Sequence, residues 1–205
     1  DGDTLVLDDS RKIRMLNINT PEKSFPNSKL SIEYMKQFEN KSIEIEITGL
    51  DKYGRALARI YIPEYLNLEL VKQGMASKFL VEESELKDFA KAEEEAILAS
   101  KGIWQHSPFF GCLSSEIFPQ EEKIIIASSC NKINISSWVL KDESTKNYNF
   151  KNLEIKEITL YSGKGEDNAT DIFWNSKTNV WNNDRDSLYI FDAQGNIALY
   201  DSYGY

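Results

Sequence analysis

From Ile43 to Ile47 the chain reads Ile-Glu-Ile-Glu-Ile, the two-residue period of a strand that buries one face. Leu5–Leu7, Ile13–Ile18 and Leu57–Ile62 predict further strands. The first two flank the polar turn Asp8–Ser10, and Pro63 ends the third. Three stretches carry the helical period instead. Leu30, Tyr34, Met35 and Phe38 share one face, as do Leu66, Leu70, Val71 and Met75, with Gly74 near that helix's end. A third helix carries Leu86, Phe89, Ala90, Glu93, Ala96 and Ile97, with Ser84 as its expected N-cap and Gly102 where it would stop. Beyond Ser107-Pro108 the helical period disappears. Short β-rich runs follow at Ile124–Ala127, Ser137–Leu140, Ile158–Tyr161, Leu188–Phe191 and Ile197–Tyr200, with turn residues between them.

The pattern therefore predicts two domains of different class: residues 1–106, strands with three helices, and 115–205, an all-β sandwich, joined by a linker at 107–114. The length of 205 residues and the 41% hydrophobic content suit two small cores. No apolar run approaches the ~18 residues of a membrane span. The net charge is −9, spread as −4 over residues 1–110 (15 basic, 19 acidic) and −5 over 111–205 (9 basic, 14 acidic). A protein that coats nucleic acid by bulk attraction is thereby excluded, though an enzyme that concentrates a few cations in one cleft is not. Two cysteines and one histidine cannot build a Cys/His zinc site. Cys112 and Cys130 read equally well as two buried thiols or as one disulfide. His106 reads as a surface side chain at a domain edge, and Glu82-Glu83 and Glu93-Glu94-Glu95 as solvated faces. The tryptophans of the second half read as core residues, with a sugar platform as the rarer alternative.

Four clusters in the first half carry the candidate chemistry: Asp1-Gly2-Asp3-Thr4, Ile13-Arg14-Met15-Leu16, Asn19-Thr20-Pro21-Glu22 and Asp51-Lys52-Tyr53-Gly54-Arg55. Each alone is an ordinary turn or strand end. Together they hold a chemical set. Oxygens from Asp3, Asn19 and Thr20 are hard ligands suited to Ca²⁺. Glu22 can hold or deprotonate a water beside such an ion, and Arg14 and Arg55 offer planar forks that match a phosphate.

In this order and spacing the clusters resemble the thermonuclease (staphylococcal nuclease-like) family. The likeness extends through Leu70-Val71-Lys72-Gln73-Gly74 to Gly102-Ile103-Trp104. It implies a five-stranded OB-fold β-barrel with three helices (α+β) and a Ca²⁺-dependent endonuclease that cuts DNA or RNA. It also implies roles. Asp3, Asn19 and Thr20 stand at the metal-ligand positions, with Asp1 a supporting acid behind them. Arg14 and Arg55 stand at the phosphate-binding positions, Glu22 at that of the residue that activates water, and Lys52 and Tyr53 at positions that approach the substrate's phosphate. Three departures accompany the likeness. Asn19 replaces the family's second metal carboxylate, so weaker Ca²⁺ binding or an altered metal preference is expected. Leu80 and Glu82 fall where the family has a pair of base-facing tyrosines, with Phe79 the nearest aromatic. The strand that opens the family's barrel is missing ahead of Asp1, so further chain is expected before it.

The second half resembles the lamin-tail domain, an immunoglobulin-like all-β sandwich, through Trp138-Val139-Leu140-Lys141-Asp142 and Trp181-Asn182-Asn183-Asp184 with Asp186. That likeness implies binding or anchoring, for instance to cell-envelope material, and no catalysis. The expectation for the whole is a secreted or cell-surface Ca²⁺-dependent endonuclease with a DNA or RNA substrate and an anchoring domain. The competing expectation is a non-catalytic nucleic-acid- or protein-binding adaptor built on the same two folds.

Overall fold

The computed structural model describes every residue except Asp1, Ser24, Pro26 and Thr145. The chain divides into two compact units, residues 1–105 and 106–205. Among the described residues no helix is long and apolar enough to cross a membrane.

In the first unit, β1 (Thr4–Val6), β2 (Lys12–Met15), β4 (Glu44–Leu50) and β5 (Ala56–Ile62) form one sheet in the order β1-β2-β5-β4, and β6 (Glu64–Tyr65) also pairs with β5. β2 and β5 run parallel, and the other pairs of this sheet are antiparallel. A separate two-strand ladder joins β3 (Ile18–Asn19) to β7 (Ser77–Lys78). The three expected helices are α1 (Ser28–Lys36), α2 (Leu66–Lys72) and α3 (Leu86–Leu98). Ile13, Met15, Ala58, Ile60, Leu70, Val71 and Phe89 meet in one core, where full burial of a large aliphatic or aromatic side chain contributes about 1.5–3 kcal/mol.

The expected barrel is not closed. Among the described residues β1 pairs only with β2 and β4 only with β5, so the sheet keeps two edges. An open cleft of about 910 Å³ lies against them, lined by apolar side chains that include Leu5, Leu7, Met35, Phe38, Ile43 and Ile45. Ile47 is 50% exposed, so the alternation at 43–47 buries its apolar face only in part. Ser84 does not cap α3. Glu85 stands at the N-cap position and makes no side-chain cap bond.

The larger correction concerns Glu93. The buried stripe of α3 is Phe89, Ala92, Glu93, Ala96 and Ile97, the i, i+3, i+4, i+7, i+8 pattern of a core-facing helix, with an acid in its middle. Glu93 and Lys78 are both fully buried. Lys78 Nζ lies 2.6 Å from Glu93 Oε2, and the Lys78 N–H donates to Glu93 Oε1 at 2.9 Å.

The second unit has no α-helix among its described residues. β8 (Leu113–Phe118), β9 (Lys123–Ser128), β14 (Glu157–Tyr161) and β15 (Asp171–Phe173) form one four-stranded sheet. β11 (Val139–Lys141), β12 (Asn147–Asn149), β16 (Asp186–Phe191) and β17 (Ile197–Tyr203) form another, and β10 (Ile133–Asn134) pairs with β13 (Glu154–Ile155). Ile124, Ile126, Ile158 and Leu160 of the first sheet share one core with Leu140, Leu188 and Ile190 of the second, so the unit is a two-layer β structure. Trp138 and Trp181 are core residues, 4% and 3% exposed.

Residues 107–114 are no free linker. Ser107 is buried and its N–H donates to the Ile197 carbonyl at 2.9 Å. Cys112 forms a disulfide with Cys130, and Leu113 opens β8. His106 is half-buried and its ring stacks on Phe110 with centroids 3.6 Å apart.

Candidate active site

β1 and β2 pair with Thr4 opposite Arg14, which brings the first cluster beside the second. Gly2 lets the chain come close to α1: a Cβ there would stand 2.8 Å from Ser31 Cβ. Asp3 is 4% exposed. Its Oδ2 accepts the Thr20 N–H and the Thr20 hydroxyl, both at 2.9 Å, and its Oδ1 accepts the Thr4 hydroxyl at 3.1 Å. The turn from β2 to β3 passes through Asn17 at φ 65°, a left-handed conformation that asparagine adopts more readily than most residues. Asn17 also ties this turn to the loop before α3, donating to Glu85 at 2.7 Å and accepting the Glu82 N–H at 3.1 Å. One step further along, the β3–β7 ladder sets Asn19 opposite Ser77, whose hydroxyl donates to the Asn19 carbonyl at 3.1 Å. The buried Lys78–Glu93 pair lies on the next residue of that same strand.

Arg14 is 9% exposed. Its Nη1 donates to the Met15 carbonyl at 2.7 Å and its Nη2 to Asn19 Oδ1 at 3.2 Å, with Asp3 Oδ2 at 3.5 Å. One guanidinium thus bridges the residues expected to supply two of the metal ligands.

The fourth cluster is a turn built on Asp51. Its Oδ1 accepts the N–H groups of Tyr53 and Arg55 at 2.8 and 2.9 Å, its Oδ2 accepts Arg55 Nε at 2.7 Å, and Gly54 takes φ 78°. The Asp51 carboxyl lies below its ordinary range, because these hydrogen bonds outweigh the upward push of what burial it has. Tyr53 is 72% exposed, with Lys52 Nζ 5.1 Å and the Arg55 guanidinium carbon 5.6 Å from its ring centre. Those are cation–π distances, so two cations stand against one exposed ring.

The electrostatic neighbours of Arg14 tie the clusters together. Burial lowers the Arg14 pKa from its ordinary value; Asp3, Asp51 and Glu22 oppose that shift and Arg55 adds to it. Arg14 therefore feels the charges of residues 3, 22, 51 and 55, although 52 sequence positions separate the first of these from the last. Glu22 is exposed to solvent. Asp1, the expected supporting acid, lies outside the described residues.

The donor set, taken with its hydrogen bonds, does not fit a Ca²⁺ centre. Such a centre takes six to eight oxygens, with affinity set by the number of charged ligands. Here Asp3 is the one carboxylate among Asp3, Asn19 and Thr20. Its Oδ2 is committed to two Thr20 donors, and Asn19 Oδ1 faces a guanidinium. Where base-facing aromatics were sought, Leu80 is 68% exposed at φ 48°, and Glu82 is ion-paired with Arg59.

The supports of the site are what sequence reasoning left out. Asp51 as the anchor of Arg55 could have been found, since Asp-Lys-Tyr-Gly-Arg is a turn signal in which an Asp side chain caps backbone N–H groups. The Asn17 ties and the Arg14–Asn19 bond have no local signal.

Residues 12–106 match the family model described as "Staphylococcal nuclease homologue". The match takes in Arg14, Asn19, Thr20, Glu22 and Arg55, and leaves the Asp1–Thr4 cluster outside it. A protein named "Uncharacterized endonuclease" from Escherichia coli O157:H7 is 37% identical over 82 residues, which is 37% of this chain and 54% of that protein. One of the same name from Haemophilus influenzae is 34% identical over 110 residues, 51% of this chain and 61% of that protein. A probable staphylococcal-like nuclease of Oryza sativa subsp. japonica is 33% identical over 105 residues, half of this chain and 28% of that protein. The chain thus spans less than two thirds of the length of each of these relatives.

Proposed function

We propose, from a staphylococcal-nuclease-type domain over residues 12–106, that the chain is a nuclease that hydrolyses phosphodiester bonds of DNA or RNA. The observation that carries the reading is the common electrostatic neighbourhood of Arg14, Arg55, Asp3, Asp51 and Glu22. Hydrolysis adds negative charge to the oxygens around phosphorus, and two guanidinium groups fixed in advance lower that barrier. Arg55 is held in place by Asp51, and Arg14 by the Met15 carbonyl and Asn19. Glu22, exposed and in the field of Arg14, accepts the proton of the attacking water. The water oxygen bonds to phosphorus as one P–O ester bond breaks, and the departing oxygen takes a proton from solvent. Lys52 and Tyr53, both exposed, approach the substrate's phosphate. No step is routed through Ca²⁺, because the donor set does not fit it.

The second unit we read as a lamin-tail-like, immunoglobulin-like sandwich that anchors the enzyme to another macromolecule, such as cell-envelope material. The Cys112–Cys130 disulfide supports a secreted or cell-surface location, since such bonds persist in oxidising compartments.

The test is cleavage of single-stranded DNA and RNA by the full chain, assayed in EDTA and with added Ca²⁺ or Mg²⁺. Glu22→Gln is expected to lower the rate about 100- to 10,000-fold. Equal cleavage by mutant and wild type would remove Glu22 from the chemistry, and no cleavage in any condition would turn the assignment toward the non-catalytic adaptor.

A further inference from the structure

We infer that Arg14 is the resident cation of this site, and that phosphate recognition by this chain is independent of Ca²⁺, with Asn19 the residue that makes it so. The inference rests on the nuclease reading and departs from the metal dependence that the resemblance implies. Its basis is a charge count. Among the described residues whose charges act on Arg14, Asp3, Asp51 and Glu22 are negative and Arg55 positive, so with Arg14 itself these five carry a net of −1. Arg55 is paired with Asp51 at 2.7 Å, and Arg14 lies 3.5 Å from Asp3. The remaining charge is that of Glu22, out in solvent.

A second carboxylate at position 19 would leave two acids against one guanidinium, an imbalance that a divalent cation relieves. The amide removes that imbalance. Its Oδ1 instead accepts Arg14 Nη2 at 3.2 Å, so the guanidinium is hydrogen-bonded to Met15 and Asn19 and sits beside Asp3. A dication brought to Asp3 would meet the buried, charged Arg14 at close range, where attraction to one carboxylate is set against repulsion from a guanidinium. Asp3 gains little by the exchange. Its Oδ2 already accepts two hydrogen bonds from Thr20 and its Oδ1 one from Thr4. A phosphate, in contrast, meets a preformed guanidinium that no metal has had to place.

The test is calorimetric titration of the full chain with Ca²⁺ alone, and with deoxythymidine monophosphate in EDTA and in millimolar Ca²⁺. This nucleotide has no phosphodiester to cut, so the readout is binding. The wild type is expected to show no saturable Ca²⁺ heat, and a nucleotide affinity that differs by less than about threefold between the two conditions. Asn19→Asp is expected to gain a saturable Ca²⁺ site, and its nucleotide affinity to become Ca²⁺-dependent by about tenfold or more. Saturable Ca²⁺ binding by the wild type, or tenfold weaker nucleotide binding in EDTA, overturns the inference and leaves the nuclease reading standing. Loss of nucleotide binding in both conditions overturns the phosphate site and the nuclease reading with it. The wild-type arms need no mutant to fold.

Discussion

Arg14 in the first unit is 9% exposed, and Asp186 in the second is 1% exposed, yet the two buried charges are held by different kinds of partner. Arg14 leans on side chains, Asn19 and Asp3, besides one carbonyl. Asp186 is held by backbone: its Oδ1 accepts the N–H groups of Glu143 and Ser187 at 3.2 and 2.8 Å, and its Oδ2 that of Asn182 at 3.1 Å. Nearby Asp142, 1% exposed, accepts the Ser144 hydroxyl and the Lys146 N–H. A charge held by side chains can be handed to a ligand by rotamer changes. One held by backbone N–H groups can be released only by moving a strand or turn. The first arrangement suits a site and the second a scaffold, and this separates the two units better than their composition, since both are acidic.

The sharpest way to break that contrast is the ion pair behind the site. Lys78 and Glu93 are both fully buried, and Lys78 lies on the strand that pairs with Asn19's strand. Lys78→Met strands the Glu93 carboxylate and is expected to cost about 3–5 kcal/mol of first-unit stability. Adding Glu93→Gln removes the stranded charge and keeps an acceptor for the N–H of position 78, so most of the loss should return. Urea unfolding followed at core amides of each unit, Ile60 and Leu188, measures both effects. If the single change costs under about 1 kcal/mol, or if Leu188 follows Ile60, the pair is not the local support described here.

The disulfide gives the matching perturbation of the second unit. Cys112 and Cys130 are 18 positions apart, and a loop of that size contributes roughly 3 kcal/mol by restricting the unfolded chain. Replacing both with Ala is expected to lower the urea midpoint at Leu188 and leave that at Ile60 and the rate of DNA cleavage unchanged. A fall in cleavage rate at full folding would mean that the second unit takes part in the chemistry.

How much of this was legible in the chain follows from the same physics. The helices and the longer strands announce themselves because a buried face repeats every 3.6 or 2 residues. Glu93 occupies the stripe of α3, yet an acid in a Glu-Glu-Glu run looks solvated until its partner, 15 positions back, is known. Leu113 and Ser114 fall in the expected linker and no strand is expected at 115–118, because Leu-Ser-Ser-Glu-Ile-Phe is half polar; pairing with β9 makes the whole segment a strand. Two-residue strands such as β3 and β7 carry no period at all. In the site, the residue types were readable as local clusters. That Arg14 reaches Asn19 was not, because the bond depends on the left-handed turn at Asn17 and on a ladder to a strand 58 positions away.

The smallest effect separates the units by their response to acid. Burial first, with repulsion from Asp186, raises the Asp142 carboxyl above its ordinary value. Burial likewise raises Asp186 against the hydrogen bonds it receives. A carboxyl whose pKa is higher folded than unfolded binds more protons in the native state between the two values. Stability therefore falls as pH rises through that window, and the cost is fully present above the folded value. Lowering the pH from about 7 toward about 4.5 is expected to raise the urea midpoint at Leu188, because the window opens above the unfolded value of about 3.9. Asp51 in the first unit is shifted the other way, so what it contributes is intact above that value and is lost only below it. The midpoint at Ile60 should therefore stay flat over the same range as far as these groups decide it. Asp186→Asn keeps an acceptor for Glu143 and Ser187 but removes the titration, and should flatten most of the rise at Leu188. A second-unit midpoint that falls on mild acidification would show that the backbone donors hold these carboxyls charged, and a rise that Asp186→Asn leaves intact would assign it to Asp142 instead. The contrast with Arg14 would then rest on geometry alone.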